Sequence, residues 1–345
     1  MSDRRRDPGA LKPREAVSRY LRRRSADSTE ASIDSWKYRL KLFVQWAEGV
    51  GIETVSQFRG YDLDEYFEVR SSEIAPATLE GEMWTLRKFF EYLEQLEAVD
   101  DGLSQSVRIP DLDEDDRSDD TQLDAPDAIA LLKFYRQSDH HRASRNHVFL
   151  ELAWYTGARQ GGIRALDLRD LQLEDNFIEF RHRPETGTPL KNKRNGERPV
   201  AIPPEVSQII REYVDENRYD VHDDHQRQPL LASMDGRPET GTIRMWSYLA
   251  TLPCLHDLCP HGRDSDTCEM TKFAHASKCP SSRSPHKIRT GSITWQLDSG
   301  LPPEIVAERV NAGIDVIKKH YDAATAFERM ERRRRQYIDN LVIDL

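Results

Sequence analysis

Residues 111–124 read DLDEDDRSDDTQLD, an acidic run with neither a helical nor a strand period. Such a stretch cannot bury apolar surface, so the chain has to fold as separate bodies on either side of it. A length of 345 residues leaves room for two, each with its own core. The expected division is a helical domain over 11–99, a linker over 100–125, a second domain over 126–325 and a C-terminal helix or tail over 326–345.

In the first body, apolar residues recur at helical spacing. Residues 11–25 read as a first helix. In a second, Trp36, Leu40, Phe43, Val44 and Ala47 share a face, with Thr29 or Ser32 as cap and Gly49 to Gly51 as the stop. LDEYFEVRSS supplies a third. A fourth carries Leu79, Met83, Leu86, Phe89, Phe90, Leu93 and Leu96 on its apolar side. Four helices of this kind make a small all-α domain.

The second body is mixed. Helical patterns cover DAIALLKFYRQS, then two pieces that meet at Thr156 and Gly157, then 204–217 and 240–250. Between them, the alternation of Phe177, Glu179 and Arg181, answered by Val200 and Ile202, predicts a β-hairpin with a polar tip at Lys191 to Glu197. The expected fold class is therefore mainly α with a small β-hairpin or sheet.

Acidic residues exceed basic ones by 60 to 50, a net charge of −10. This excludes a protein that coats nucleic acid indiscriminately, because that binding rests on summed positive charge. A local basic groove is still compatible, and Arg19, Arg22, Arg23, Lys37, Arg39, Lys41, Arg87 and Lys88 lie on helices of the first body. The acidic, arginine-rich surface fits a salty cytoplasm, as in a halophilic archaeon. No apolar run approaches the roughly 20 residues of a membrane span, and MSDRRRDPGALKPREA has no apolar segment. A cytoplasmic protein with no membrane partner is expected.

All four cysteines, Cys254, Cys259, Cys268 and Cys279, fall within 252–284, interleaved with His256, His261 and His275. In a reducing compartment this clustering favours a tetrahedral zinc site, with reduced structural or redox-linked thiols as the alternative. The four cysteines are the simplest ligand set, and the three histidines are possible substitutes. Four soft ligands leave no open position, so such a zinc is structural rather than catalytic.

One constellation remains: Thr156-Gly157-Ala158-Arg159 at a helix junction, Lys193 in the hairpin tip, His286-x-x-Arg289, and Tyr321. His286 and Arg289 share a helix face at i and i+3. The order resembles the tyrosine recombinases, the phage-integrase and Xer-like family, whose site combines an Arg in a TGxR motif, a hairpin Lys, an HxxR motif and a terminal Tyr. The resemblance spans nearly the whole chain and implies a helical core-binding domain of SAM-like type followed by the DNA breaking-rejoining catalytic domain, here with a Cys/His-rich insertion at 252–284. It implies Arg159, Lys193, His286, Arg289 and Tyr321 as catalytic residues, with Lys191 as the alternative to Lys193.

Three positions depart from the family pattern. Gly162 and Ile163 follow the first arginine where an acidic residue and a leucine are usual. Ala312 stands nine residues before Tyr321, where a histidine or tryptophan is usual, and this leaves that phosphate donor to Asn311, to His320 or vacant. The implied activity is site-specific cleavage and rejoining of double-stranded DNA through a 3′-phosphotyrosyl link. It needs neither ATP nor a catalytic cofactor, and it implies a homo-tetramer on two DNA sites in the nucleoid. A catalytically impaired DNA-binding relative is the alternative.

The residue types suit that chemistry. Guanidinium groups present rigid forks of donors to phosphate oxygens, and a phenol with a pKa near 10 needs cationic neighbours or a base to act as nucleophile.

Overall fold

The structure is a computed structural model that describes residues 7–112, 121–320, 327, 330, 331 and 335. It divides into two compact units, Met1–Asp120 and Thr121–Leu345.

The first unit is built from α1 (Pro13–Arg24), α2 (Glu30–Gly49), α3 (Gly60–Ser71) and α4 (Pro76–Gln95). Each starts for a local reason. Thr29 accepts a hydrogen bond from the Ser32 amide at the head of α2, and prolines occupy the first positions of α1 and α4, where an N–H has no helical partner anyway. The core is aromatic: Phe43 contacts Phe58, Tyr66 and Phe90 with ring centroids 5.1–5.8 Å apart. Glu82 is buried beneath α3, where it accepts from the Tyr66 hydroxyl at 2.5 Å and from Arg70 Nε at 2.8 Å. Leu103 and Val107 join this core. The start of the stretch expected to be a linker is therefore part of the first unit, because its two apolar side chains find a place under α4.

In the second unit, α5 (Ala125–Gln137) is followed by α6 (Arg145–Thr156), the central helix, which packs against α5, α7 (Gln160–Ala165), α8 (Pro204–Glu212), α9 (Thr240–Ala250) and α10 (Pro285–Asp298). From Val148 to Ala153 every residue of α6 is buried, so it has no solvent face and no clean amphipathic pattern. Strands β1 (Leu171–Gln172), β2 (Phe177–Phe180) and β3 (Arg198–Ala201) form an antiparallel sheet in that order, with Ile178 opposite Val200 and Phe180 opposite Arg198. The expected hairpin is present; its inward face carries Ile178, Phe180 and Val200, Phe177 and Glu179 are half-buried on the other face, and β1 is an additional strand. Two short helices, α11 (Pro303–Val310) and α12 (Ile314–His320), pack with α10 around Ile293, Leu297, Val306, Val310 and Ile317. The molecule is thus mainly helical with one small antiparallel sheet. No described helix is long and apolar enough to cross a membrane.

Candidate active site

The site forms where the ends of several elements of the second unit meet. Helix α6 stops at Gly157, whose φ of +56° is the left-handed conformation glycine adopts without a Cβ penalty. A Cβ there would also lie 2.7 Å from Val310 Cγ1. This stop turns the chain so that Arg159 becomes the N-cap residue of α7. From there its guanidinium reaches the C-terminus of α11 and donates to the Asn311 carbonyl at 2.7 Å.

Arg289, on α10, is buried at 3% exposure. It donates to the carbonyl of Gly157 and, at 2.7 Å, to that of Val310. Arg198, on β3, stacks over Phe180 with its guanidinium carbon 4.4 Å from the ring centre and donates to the Arg309 carbonyl at 2.6 Å. Three successive carbonyls at the end of α11, those of residues 309, 310 and 311, therefore receive three guanidinium groups from three different elements. A helix C-terminus carries partial negative charge and unsatisfied carbonyls, which explains why the cations gather there. Arg309 adds a fourth guanidinium, donating to the Tyr155 carbonyl at 2.9 Å and to Gln296 Oε1 at 3.1 Å. The crowding is visible in Arg198: burial first, then the charges of Arg289, Arg159 and Arg309, bring its pKa down to about 10. The carbonyls of residues 309–311 gather these guanidinium groups at one place in the fold, and a guanidinium offers a rigid fork of donors suited to an anion.

His286 lies one turn before Arg289 at the exposed start of α10, which Ser284 caps by accepting from the Lys287 amide. Although the residue is open to solvent, partial desolvation lowers its pKa, and the charges of Arg289, Lys287, Arg159 and Lys191 lower it further. The imidazole is accordingly neutral at pH 7.

Lys193 sits at φ +52° in a single 3-10 turn, Lys193–Gly196, within the connection from β2 to β3. This turn is tied down: Asn192 Nδ2 donates to Asn311 Oδ1 at 2.7 Å. Asn311 therefore holds Arg159 through its carbonyl and the Lys193 turn through its side chain. It can do so because it ends α11 in the left-handed region, at φ +52°, which asparagine tolerates better than most residues. Its amide oxygen is thus engaged within the protein.

Ala312 packs against the apolar cluster of Ile293, Leu297 and Val306, so a methyl group fills space at the position where the family pattern has a phosphate donor. Gly162 lies against the sheet, where a Cβ would come 3.4 Å from Phe180. Tyr321, and the tail over 326–345 apart from Phe327, Met330, Glu331 and Arg335, lie outside the described residues. Arg198, Arg309 and Asn192 are additional members that the sequence reading passed over. Arg198 was within reach, since it stands in the same hairpin five residues after Lys193.

The insertion joins α9 to α10 through one-turn 3-10 helices at Pro253–Leu255, Glu269–Thr271 and Phe273–Lys278. All four cysteines are free thiols and line one small cavity. Burial raises the pKa of Cys254, and the neighbouring Cys259, Cys279 and Cys268 raise it further. Among the described residues, no three His, Cys, Asp or Glu side chains already stand at a spacing that holds a metal ion.

In the first unit, α1, α2 and α4 enclose an open groove of about 630 Å³, where Arg23, Arg24, Arg39 and Lys88 alternate with Trp36 and Trp84. Arg24 stacks over Trp36 at 5.0 Å.

Solved structures share this architecture. The Tn1549 transposon integrase in complex with a circular intermediate DNA matches with a TM-score of 0.66 over 96% of this chain and 99% of that one, at 14% identity. A lambda integrase dimer bound to a COC′ core site matches at 0.60 over 95% and 79%, at 11% identity. The N-terminal domain of a phage integrase/site-specific recombinase from Haloarcula marismortui is 48% identical over 29% of this chain and 97% of that domain, with a TM-score of 0.29. No protein-family model matches the chain, and no curated protein does. With its helical first unit and its mainly α second unit around a three-stranded sheet, the chain has the fold of the tyrosine recombinases and phage integrases.

Proposed function

We propose that this protein is a site-specific DNA recombinase that cleaves and rejoins double-stranded DNA through a 3′-phosphotyrosyl intermediate. The observation that carries the reading is the convergence of Arg159, Arg289 and Arg198 on the end of α11, with His286 one turn from Arg289. A phosphodiester under attack gathers negative charge on its non-bridging oxygens, and guanidinium groups fixed in advance stabilise that charge more in the transition state than in the ground state.

In this mechanism the Tyr321 hydroxyl attacks the phosphorus, and its proton passes to neutral His286 or to water. The bond from phosphorus to the 5′ oxygen breaks as the bond to the tyrosine oxygen forms. Lys193 protonates the departing oxygen, giving a free 5′-hydroxyl. Attack by a 5′-hydroxyl from another strand reverses these steps and completes the exchange. The phosphotyrosyl ester conserves the bond energy, so no ATP is consumed. The basic, aromatic groove of the first unit contributes DNA backbone contacts, and exchange between two duplexes calls for four copies of the chain.

The test uses labelled duplexes from the DNA flanking the gene, each with a nick that traps a cleaved strand. A covalent protein–DNA band on a denaturing gel is expected with the parent protein and absent with Tyr321→Phe. An equal band from Tyr321→Phe removes the nucleophile assignment.

A second reading is favoured by the apolar packing of Ala312, which costs the site one phosphate donor. It is a DNA-binding relative that does not cleave. That protein would shift the same duplexes on a native gel and give no covalent band.

A further inference from the structure

The 252–284 insertion has too little apolar interior to explain its own fold. Between Pro253 and Ser284 only Ala276, Cys279 and Ser282 are buried, while Leu258 is 89% exposed and Phe273 48% exposed. Segments this poor in core need a cross-link or a metal to hold one conformation. The cysteines come from four separate places: the turn after α9, the loop beyond it, the N-cap of one 3-10 turn and the C-cap of another. They nonetheless line one cavity of about 10 Å³, room for a single small atom.

The histidines are less suitable. His256 faces a different depression with Asp127 and Leu131, His275 Nε2 lies 3.9 Å from Glu269, and His261, although it lines the cavity, pairs through Nε2 with Ser281 Oγ at 3.0 Å.

We propose that Cys254, Cys259, Cys268 and Cys279 bind one zinc ion as a tetrathiolate that clips the end of α9 to the start of α10. Among the described residues no three donors already stand as a metal-holding group, so binding rearranges the thiols around the ion as it displaces their protons. The clip has a clear mechanical target. Thr251 Oγ1, just after α9, accepts from the Arg283 amide at 2.8 Å, and Arg283 Nε donates to the Gln122 carbonyl at 2.9 Å. Ser284, the cap of α10, follows directly. The zinc site thus closes the loop whose far end launches the helix carrying His286 and Arg289. It supplies no chemistry to the phosphate, so it stands or falls independently of the recombinase reading.

The test is metal analysis of the full chain expressed with zinc, with no DNA present. About one zinc per chain is expected, released by a mercurial reagent, and a cobalt-substituted sample should show the intense thiolate-to-metal charge transfer and tetrahedral absorption of four sulfur ligands. His261→Ala keeps the metal and the cobalt spectrum, whereas Cys259→Ser loses the metal or weakens the sulfur band. Hydrogen exchange should rise across 253–284 and the first turn of α10 when zinc is chelated. Zinc-free protein with four freely reactive thiols overturns the proposal, as does an octahedral cobalt spectrum. Unchanged exchange on chelation removes the clip.

Discussion

Arg159 and Asn311 are 152 positions apart in sequence, yet the Arg159 guanidinium donates to the Asn311 carbonyl at 2.7 Å. The bond fixes a cation at the start of α7 against the partial negative charge at the end of α11. Arg159→Lys keeps the charge but loses the planar fork that can bond a carbonyl and a phosphate together. Covalent-complex formation is expected to fall by about 10²–10³-fold, the usual cost of removing one preorganised transition-state donor. DNA affinity on a native gel should change far less.

Asn192 is an exposed loop residue whose bond to Asn311 restrains the Lys193 turn. Asn192→Ala should leave thermal stability within about 0.5 kcal/mol, as for surface positions generally. Cleavage should still slow, because Lys193 is no longer held. Unchanged cleavage rates in a single-turnover assay would show that the tie has no positioning role.

The pH response follows from His286, whose pKa lies below its ordinary value of 6.5 because of partial desolvation and the surrounding cations. The unfolded chain therefore takes up this proton before the folded one does. The stability associated with the neutral ring is complete above pH 6.5 and is lost as pH falls below it. The covalent-complex rate should hold down to a pH below 6.5 and then decline, and His286→Gln should abolish that acid limb. An NMR titration placing the His286 midpoint above 6.5 would contradict the electrostatic argument.

Gly157 combines a left-handed backbone with a Cβ position 2.7 Å from Val310. Gly157→Ala adds conformational strain and overpacking, each of about 1–2 kcal/mol. The predicted loss, about 2–4 kcal/mol, should appear as a lower denaturation midpoint in urea. Because Val310 must move and its carbonyl anchors Arg289, activity should fall further than stability alone explains.

Much of the first unit was legible because its helices are amphipathic and locally capped: Leu40, Phe43, Val44 and Ala47 announce both the element and its buried face. Helix α6 was readable as a helix but not in orientation, since a helix buried all round has no periodic face. The hairpin was legible in the alternation around Phe177 and Val200, but its buried face was not, because one residue of slip exchanges the two faces and a four-residue strand offers too few positions to fix the choice. In the site, TGxR and HxxR were visible as short motifs. Arg198, Arg309 and the Asn192–Asn311 bond were not, because isolated arginines and asparagines look alike in sequence whether they are solvated or pinned to a helix end.

The sequence alone determined the four helices of the first unit and α5 to α9 of the second, where Gly157 breaks one of them, and that His286 and Arg289 share a face. These depend on residues within four positions of one another. Tertiary structure alone decided that residues 309–311 would present their carbonyls to arginines from α7, β3 and α10, across separations of 152, 111 and 21 residues. Those meetings are set by how α6, α10 and α11 pack, a property of the closed core rather than of any local run.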